Sequence, residues 1–140
     1  MGRRGPAHGL HDAFVVHGAD GLDELSTTGP NRVSALRDGR VETITLDPAD
    51  LGFARAQASD LGGGNAEENA VITRGILSGT LNGARRDVVV LNAAAALVAG
   101  GQSKTLREGI RQAKHSLDSG AALQALDRLI EFSQRQVAAG

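Results

Sequence analysis

The chain has 140 residues with 15 Lys and Arg against 16 Asp and Glu, a formal net charge of −1, and that balance offers no electrostatic footprint for nucleic acid or an anionic membrane. Its 41% hydrophobic and 22% charged residues fit one globular domain with a buried core, not a disordered chain. Zero cysteines exclude a disulfide framework and thiolate chemistry, and 2% aromatics, all of them Phe, argue against a base-stacking platform.

No apolar run approaches the length of a membrane span, and no charged-then-apolar signal segment opens the chain, so the cytoplasm is the expected location. Residues 1–12 have no periodicity and read as a disordered or linker-like N-terminus. Ala13 to Gly18 (AFVVHG) reads as a short buried strand running into a glycine-punctuated loop, HGADGLDELSTTGP. RVSAL and VETITL then flank Arg37-Asp38-Gly39-Arg40, and Asp-Gly between β-branched runs predicts a hairpin because glycine supplies the positive φ of the tight turn. Pro48 ends that unit.

Leu61 to Leu77 (LGGGNAEENAVITRGIL) reads as a loop feeding a helix, with Asn65 as N-cap and Glu68 completing a capping box. Next comes DVVVLNAAAALVAGG, apolar on all sides and rich in alanine, which favours a buried helix, although VVVL alone also suits a strand. In TLREGIRQAKHSLDSG, residues Leu106, Ile110, Ala113 and Leu117 form one apolar helical face. Gly120 breaks this helix, Ser119 is placed to cap the next, and Leu123, Leu126 and Ile130 line the last helix with Leu129 beside them. A little β-structure followed by a helical cluster is the resulting picture.

Asp23 and Glu24 are the chemically interesting pair. Adjacent carboxylates in a loop after a strand suit Mg²⁺, a hard ion that takes one or two carboxylates plus water and phosphate oxygens. The ordinary alternative has Asp23 capping a turn and Glu24 facing water. His17 has the choice of acid/base or phosphate-orienting work and simple packing. Gly62 to Gly64, before a helix N-terminus, could cradle an anion but match neither the dinucleotide nor the Walker pattern. Asn69 and Asn92, inside apolar helices, need partners if buried and serve either as fold glue or in a site. His8, His11 and His115 have no metal-ligand spacing, and no activated nucleophile is visible.

Four stretches in order carry a family resemblance: HGADGLDELS, DLGGGNAEENA at Asp60 to Ala70, RDVVVLNAAAALVAGG at Arg86 to Gly101, and LREGIRQAKHSLDSGAAL at Leu106 to Leu123. Together they resemble anthranilate phosphoribosyltransferase, from about Ala13 onward. The resemblance implies the C-terminal part of a phosphoribosyltransferase/nucleoside phosphorylase-type α/β domain over residues 13–140, with few strands and predominantly helical. It implies transfer of phosphoribosyl from phosphoribosyl diphosphate to the amine of anthranilate, a step of tryptophan biosynthesis. It assigns Asp23 and Glu24 to the family's acidic pair, which binds Mg²⁺ on the diphosphate.

Family members are more than twice as long, and the part without a counterpart here carries a small helical domain, the GTGGD diphosphate loop and the KHGN segment. The anthranilate-contacting residues of that part match no position in this chain. By the same resemblance, a companion chain or an upstream region would complete the site, and the chain alone would lack strands of the family's parallel sheet, leaving an edge and an apolar face uncovered. The alternative is a truncated non-catalytic relic or partner-binding domain of the same fold, and a nucleoside phosphorylase-like substrate choice uses that fold too.

Overall fold

The computed structural model describes residues 12–138, so the linker-like reading of residues 1–12, with His8 and His11, lies outside the described residues except at Asp12, which opens a strand. Three strands come first: β1 (Asp12–His17), β2 (Asn31–Arg37) and β3 (Arg40–Leu46). They form one sheet in the order β1-β2-β3, and both pairings are antiparallel rather than part of the parallel sheet that the resemblance implies, because loops and not crossover helices join neighbouring strands. Four helices follow, α1 (Ala66–Leu77), α2 (Ala84–Ala99), α3 (Leu106–Asp118) and α4 (Ala121–Ala138). The mostly helical α/β composition matches the expected fold class.

The β2–β3 hairpin turns at Asp38 (φ 49°) and Gly39 (φ 74°), two successive positive φ values of the kind that match the twist of paired strands. Its register sets Val33 opposite Ile44 and Arg37 opposite Arg40, while Phe14 and Val16 of β1 face Ala35 and Val33. Because side chains alternate across a sheet, Phe14, Val16, Val33 and Leu46 share one face, and these residues pack into or against the core. The opposite face carries Val15 and Val41, each 70% exposed. β1 is therefore a strand as expected but not a buried one. Among the described residues, helices cover a single face of the sheet, so Val15 of β1 is left in the open.

Helix α2 forms the centre of the core. Val90, Leu91 and Ala94 are fully buried, and they cluster with Leu25, Val33, Phe53, Ile110 and Leu117. The expectation of a helix holds, but burial on all sides does not: Ala96 is exposed, and Val89, Ala93 and Leu97 line an open groove of about 580 Å³ between α2, α3 and the start of α4. The α3 stripe is as read, with Ile110, Ala113 and Leu117 buried. Gly109 lets α3 approach α2 closely, because a Cβ there would lie 2.8 Å from the Ala94 carbonyl oxygen.

Asn65 caps α1 through a full capping box with Glu68. Ser119 does not cap α4. It closes α3, donating its backbone N–H to the His115 carbonyl, and its hydroxyl bonds back to the Ser116 carbonyl at 3.4 Å. The Gly120 carbonyl accepts the first bond of α4, from the Gln124 N–H at 3.1 Å. Serine's extended N-cap geometry was unavailable because Ser119 still has helical φ and ψ. On α4, Leu123, Leu126 and Ile130 are half-buried while Leu129 is 62% exposed.

Replacing Leu91 by Ala is expected to lower unfolding free energy by about 2–5 kcal/mol. Gly109→Ala should cost about 1–3 kcal/mol through overpacking, and Val15→Thr on the open face should cost far less. Urea titration of the three variants followed by circular dichroism checks the ranking.

Candidate functional site

β1 delivers the chain through His17, exposed at its end, into a loop built by the backbone itself. The Gly18 N–H donates to the Leu22 carbonyl at 2.8 Å, and the Gly18 carbonyl accepts from the Gly21 N–H at 3.1 Å. A Cβ at Gly18 would sit 2.7 Å from the Glu24 carbonyl oxygen, so the returning loop passes where only glycine leaves space. Gly21, at φ 87°, turns the chain back.

Two asparagine side chains, half-buried Asn92 and buried Asn31, hold the second half of this loop. Asn92, midway along helix α2, accepts from the Leu25 N–H at 2.9 Å through Oδ1. Its Nδ2 donates to the Leu25 carbonyl at 2.8 Å and to the Val88 carbonyl at 3.0 Å. Asn31, 1% exposed, accepts from the Ser26 N–H at 2.8 Å and donates to the Ser26 carbonyl at 2.9 Å. It also reaches the Gly29 carbonyl at 3.2 Å. Buried backbone groups without a strand partner need such bonds, and two asparagine amides supply them here.

Asp20 stitches the loop across its mouth. Its Oδ2 accepts from the Ser26 hydroxyl at 2.8 Å and from the Thr28 hydroxyl at 3.0 Å. Partial burial pushes the Asp20 carboxyl up, but the bonds from Ser26, Thr28 and the backbone N–H groups of Asp20 and Leu22 outweigh it and hold the group below its ordinary value of 3.8. Asp20, Ser26, Thr28 and Asn31 do not stand out in the sequence as site residues. Asp20 was recoverable, since Asp before Gly favours a side chain bonded to a backbone N–H two residues on, here the Leu22 N–H at 3.4 Å.

Asp23 and Glu24 stand outside this bonding. Both are exposed, and among the described residues neither takes part in an ion pair. Leu25, next in sequence, is 1% exposed and lies in the wall of an open cavity of about 500 Å³ bounded by the sheet and the start of α3. Two adjacent exposed carboxylates on an anchored loop offer only oxygen donors, which suits Mg²⁺. Among the described residues no group of three or more His, Asp or Glu gathers into a metal cluster, so a cation on the pair would draw its other ligands from water and substrate oxygens.

The glycine run is a less open site than its composition suggests. Asn69 accepts from the Gly64 N–H at 2.9 Å and donates to the Gly64 carbonyl at 2.9 Å, while Glu68 accepts from the Asn65 N–H at 2.9 Å. Those two donors are therefore taken, and Glu67 and Glu68 add negative charge to the first turn of α1, which opposes an anion there. Asn69 and Asn92 both prove to be backbone clamps.

Residues 7–123 match the family described as glycosyl transferase family, a/b domain. The chain belongs to that family. It is 51% identical over 127 residues to an anthranilate phosphoribosyltransferase of Symbiobacterium thermophilum, covering 91% of this chain and 37% of that protein. To one of Rhodopseudomonas palustris it is 50% identical over 125 residues, 89% of this chain and 37% of the relative. The chain thus spans little more than a third of the length of the curated relatives it matches. The crystal structure of anthranilate phosphoribosyltransferase from Thermus thermophilus superposes with a TM-score of 0.78 at 39% identity, covering 86% of this chain and 35% of that one. The Saccharomyces cerevisiae enzyme in complex with PRPP and Mg superposes at 0.76 with 30% identity, over 84% of this chain and 34% of that one.

Asp20 has a lower pKa folded than unfolded, so its stabilisation is fully present above the unfolded carboxylate range and disappears as pH falls through the folded value. Asp20→Asn removes that dependence. Denaturation midpoints measured between neutral and strongly acidic pH should fall less steeply for the variant than for the parent.

Proposed function

We propose that this chain supplies the metal–diphosphate portion of an anthranilate phosphoribosyltransferase active site, with Asp23 and Glu24 as the ligands of Mg²⁺. The observation that carries this reading is the pair's placement: both carboxylates are exposed while the chain before and after them is anchored, Gly18 to Leu22 and Leu25 to Asn92. Relatives 51% and 50% identical bear that enzyme's name, and one superposing structure holds PRPP and Mg. An activity of this biosynthetic kind fits the cytoplasm.

In the reaction, the lone pair of the anthranilate nitrogen forms the bond to C1 of the ribose. The C1–O bond breaks with its electron pair passing to the departing diphosphate, and the nitrogen releases a proton to solvent. Mg²⁺, when bound, neutralises negative charge growing on the leaving group. The chain's own work is positional. Asp23 and Glu24 present their carboxylate oxygens from a loop whose backbone is bonded at Gly18, Leu25 and Ser26, which limits backbone reorganisation as charge develops. Anthranilate's amine is already nucleophilic, so orientation by the remainder of the site supplies much of the further acceleration.

A second reading, a non-catalytic domain that associates through its uncovered surface, draws on Val15 and Val41 at 70% exposure and on the open 500 Å³ cavity beneath the sheet. Complementation separates the two. Purified chain with anthranilate, phosphoribosyl diphosphate and Mg²⁺ is expected to show negligible loss of anthranilate fluorescence. Adding the N-terminal region of the Symbiobacterium thermophilum relative should produce turnover. Asp23→Ala and Glu24→Ala should each lower that turnover by about 100-fold or more with melting temperature unchanged. Association without turnover would favour the non-catalytic reading, and parallel loss of turnover and stability would make the pair structural.

A further inference from the structure

We infer that Asn92 of α2 is a positioning residue for the Asp23–Glu24 pair, fixing their direction through the backbone rather than by touching metal or substrate. This rests on the metal reading of that pair. The Leu25 N–H belongs to the same peptide plane as the Glu24 carbonyl, and the Leu25 carbonyl belongs to the next plane. Asn92 binds both, at 2.9 and 2.8 Å. Two contiguous peptide planes are thereby locked to one amide, as a neighbouring strand would lock them. On the other side the Glu24 carbonyl passes Gly18, where a Cβ would lie 2.7 Å from its oxygen, so only glycine leaves room for this course of the loop.

The amide itself is held immobile. Its Nδ2 donates a second bond to the Val88 carbonyl one turn earlier on α2, at 3.0 Å, which fixes the side-chain orientation and which end is donor. Its helical neighbours Leu91 and Ala94 are fully buried. The loop therefore takes its position from the most buried helix of the domain, across 67 residues of sequence. Removing a group bonded directly to a metal-ligating side chain typically changes affinity by about 10- to 100-fold, and Asn92, acting one step further out through the Leu25 backbone, falls at the lower end of that range.

The clamp requires a donor and an acceptor together. Asn92→Asp keeps the shape and the acceptor for the Leu25 N–H but turns a carboxylate oxygen toward the carbonyls of Leu25 and Val88, so it should behave no better than Asn92→Ala. Asn69→Ala is the matched control, because Asn69 clamps Gly64 with the same pair of bonds at a loop away from the carboxylates.

The experiment is Mn²⁺ titration of the full chain, followed by paramagnetic broadening of the Asp23 and Glu24 amide resonances, with hydrogen exchange at Leu25 recorded in parallel. Expected are broadening in the parent and in Asn69→Ala, an apparent affinity lowered about tenfold in both Asn92 variants, and faster Leu25 exchange in those variants alone. Equal Mn²⁺ affinity in parent and folded Asn92 variants would overturn the inference while leaving the metal reading in place. Absence of broadening at these residues in the parent would overturn the metal reading and the inference with it. Should neither Asn92 variant fold, the parent still decides: a Leu25 amide exchanging as fast as those of Asp23 and Glu24 means there is no effective clamp.

Discussion

The bonds between the Asn92 amide and the two backbone groups of Leu25 are the constraint around which the domain is organised. Leu25 must enter the core, where it is 1% exposed, yet it follows a loop that has no strand to satisfy its polar groups. An unmet N–H or carbonyl at that depth would cost about 1–3 kcal/mol. A polar side chain inside an apolar helix answers that need, and it ties helix α2 to the loop through both backbone groups of Leu25. Gly109 brings α3 onto the other side of the same helix, so the strand–loop unit and the helical cluster meet at α2.

The features legible in the sequence were those governed by neighbours along the chain. The Asp38-Gly39 turn, the Asn65–Glu68 capping box and the Ile110–Ala113–Leu117 stripe each depend on residues a few positions apart, and all three stand. Burial was harder to read, because it depends on what covers a face. The alternation in β1 is real, but only one side of the sheet carries helices among the described residues, and Val15 is left outside. Ser119 shows the same limit at a helix junction: a serine before a break can close one helix or open the next, and the helical backbone at that residue decided for the former.

For the site, the residue types at Asp23 and Glu24 suit metal chemistry, and the proposal that they hold the ion comes through family resemblance. Their anchoring was not readable. Asn92 was recognisable as a residue in need of partners, but those partners lie 67 residues away and no periodicity links them. Asn31 and Asp20 were missed for a related reason: turn-forming residues are common, and only the folded loop shows Asn31 binding Ser26 and Asp20 binding the Ser26 and Thr28 hydroxyls. The chain spans 37% of the Symbiobacterium relative's length, yet the side chains that brace the carboxylate loop, those of Asn92, Asn31 and Asp20, all lie within it. A loop braced in this way can hold its shape before any metal or substrate arrives.

Preformation has a direct structural test. Crystals of the chain grown with Mn²⁺ and diphosphate, with data collected at the manganese absorption edge, would locate the cation independently of any activity. The expected result is an anomalous peak within coordinating distance of Asp23 or Glu24, with Leu25 still bonded to Asn92 through both backbone groups. Manganese bound elsewhere on the chain, or a carboxylate loop lifted away from Asn92 when the ion is present, would contradict a site that the chain builds by itself.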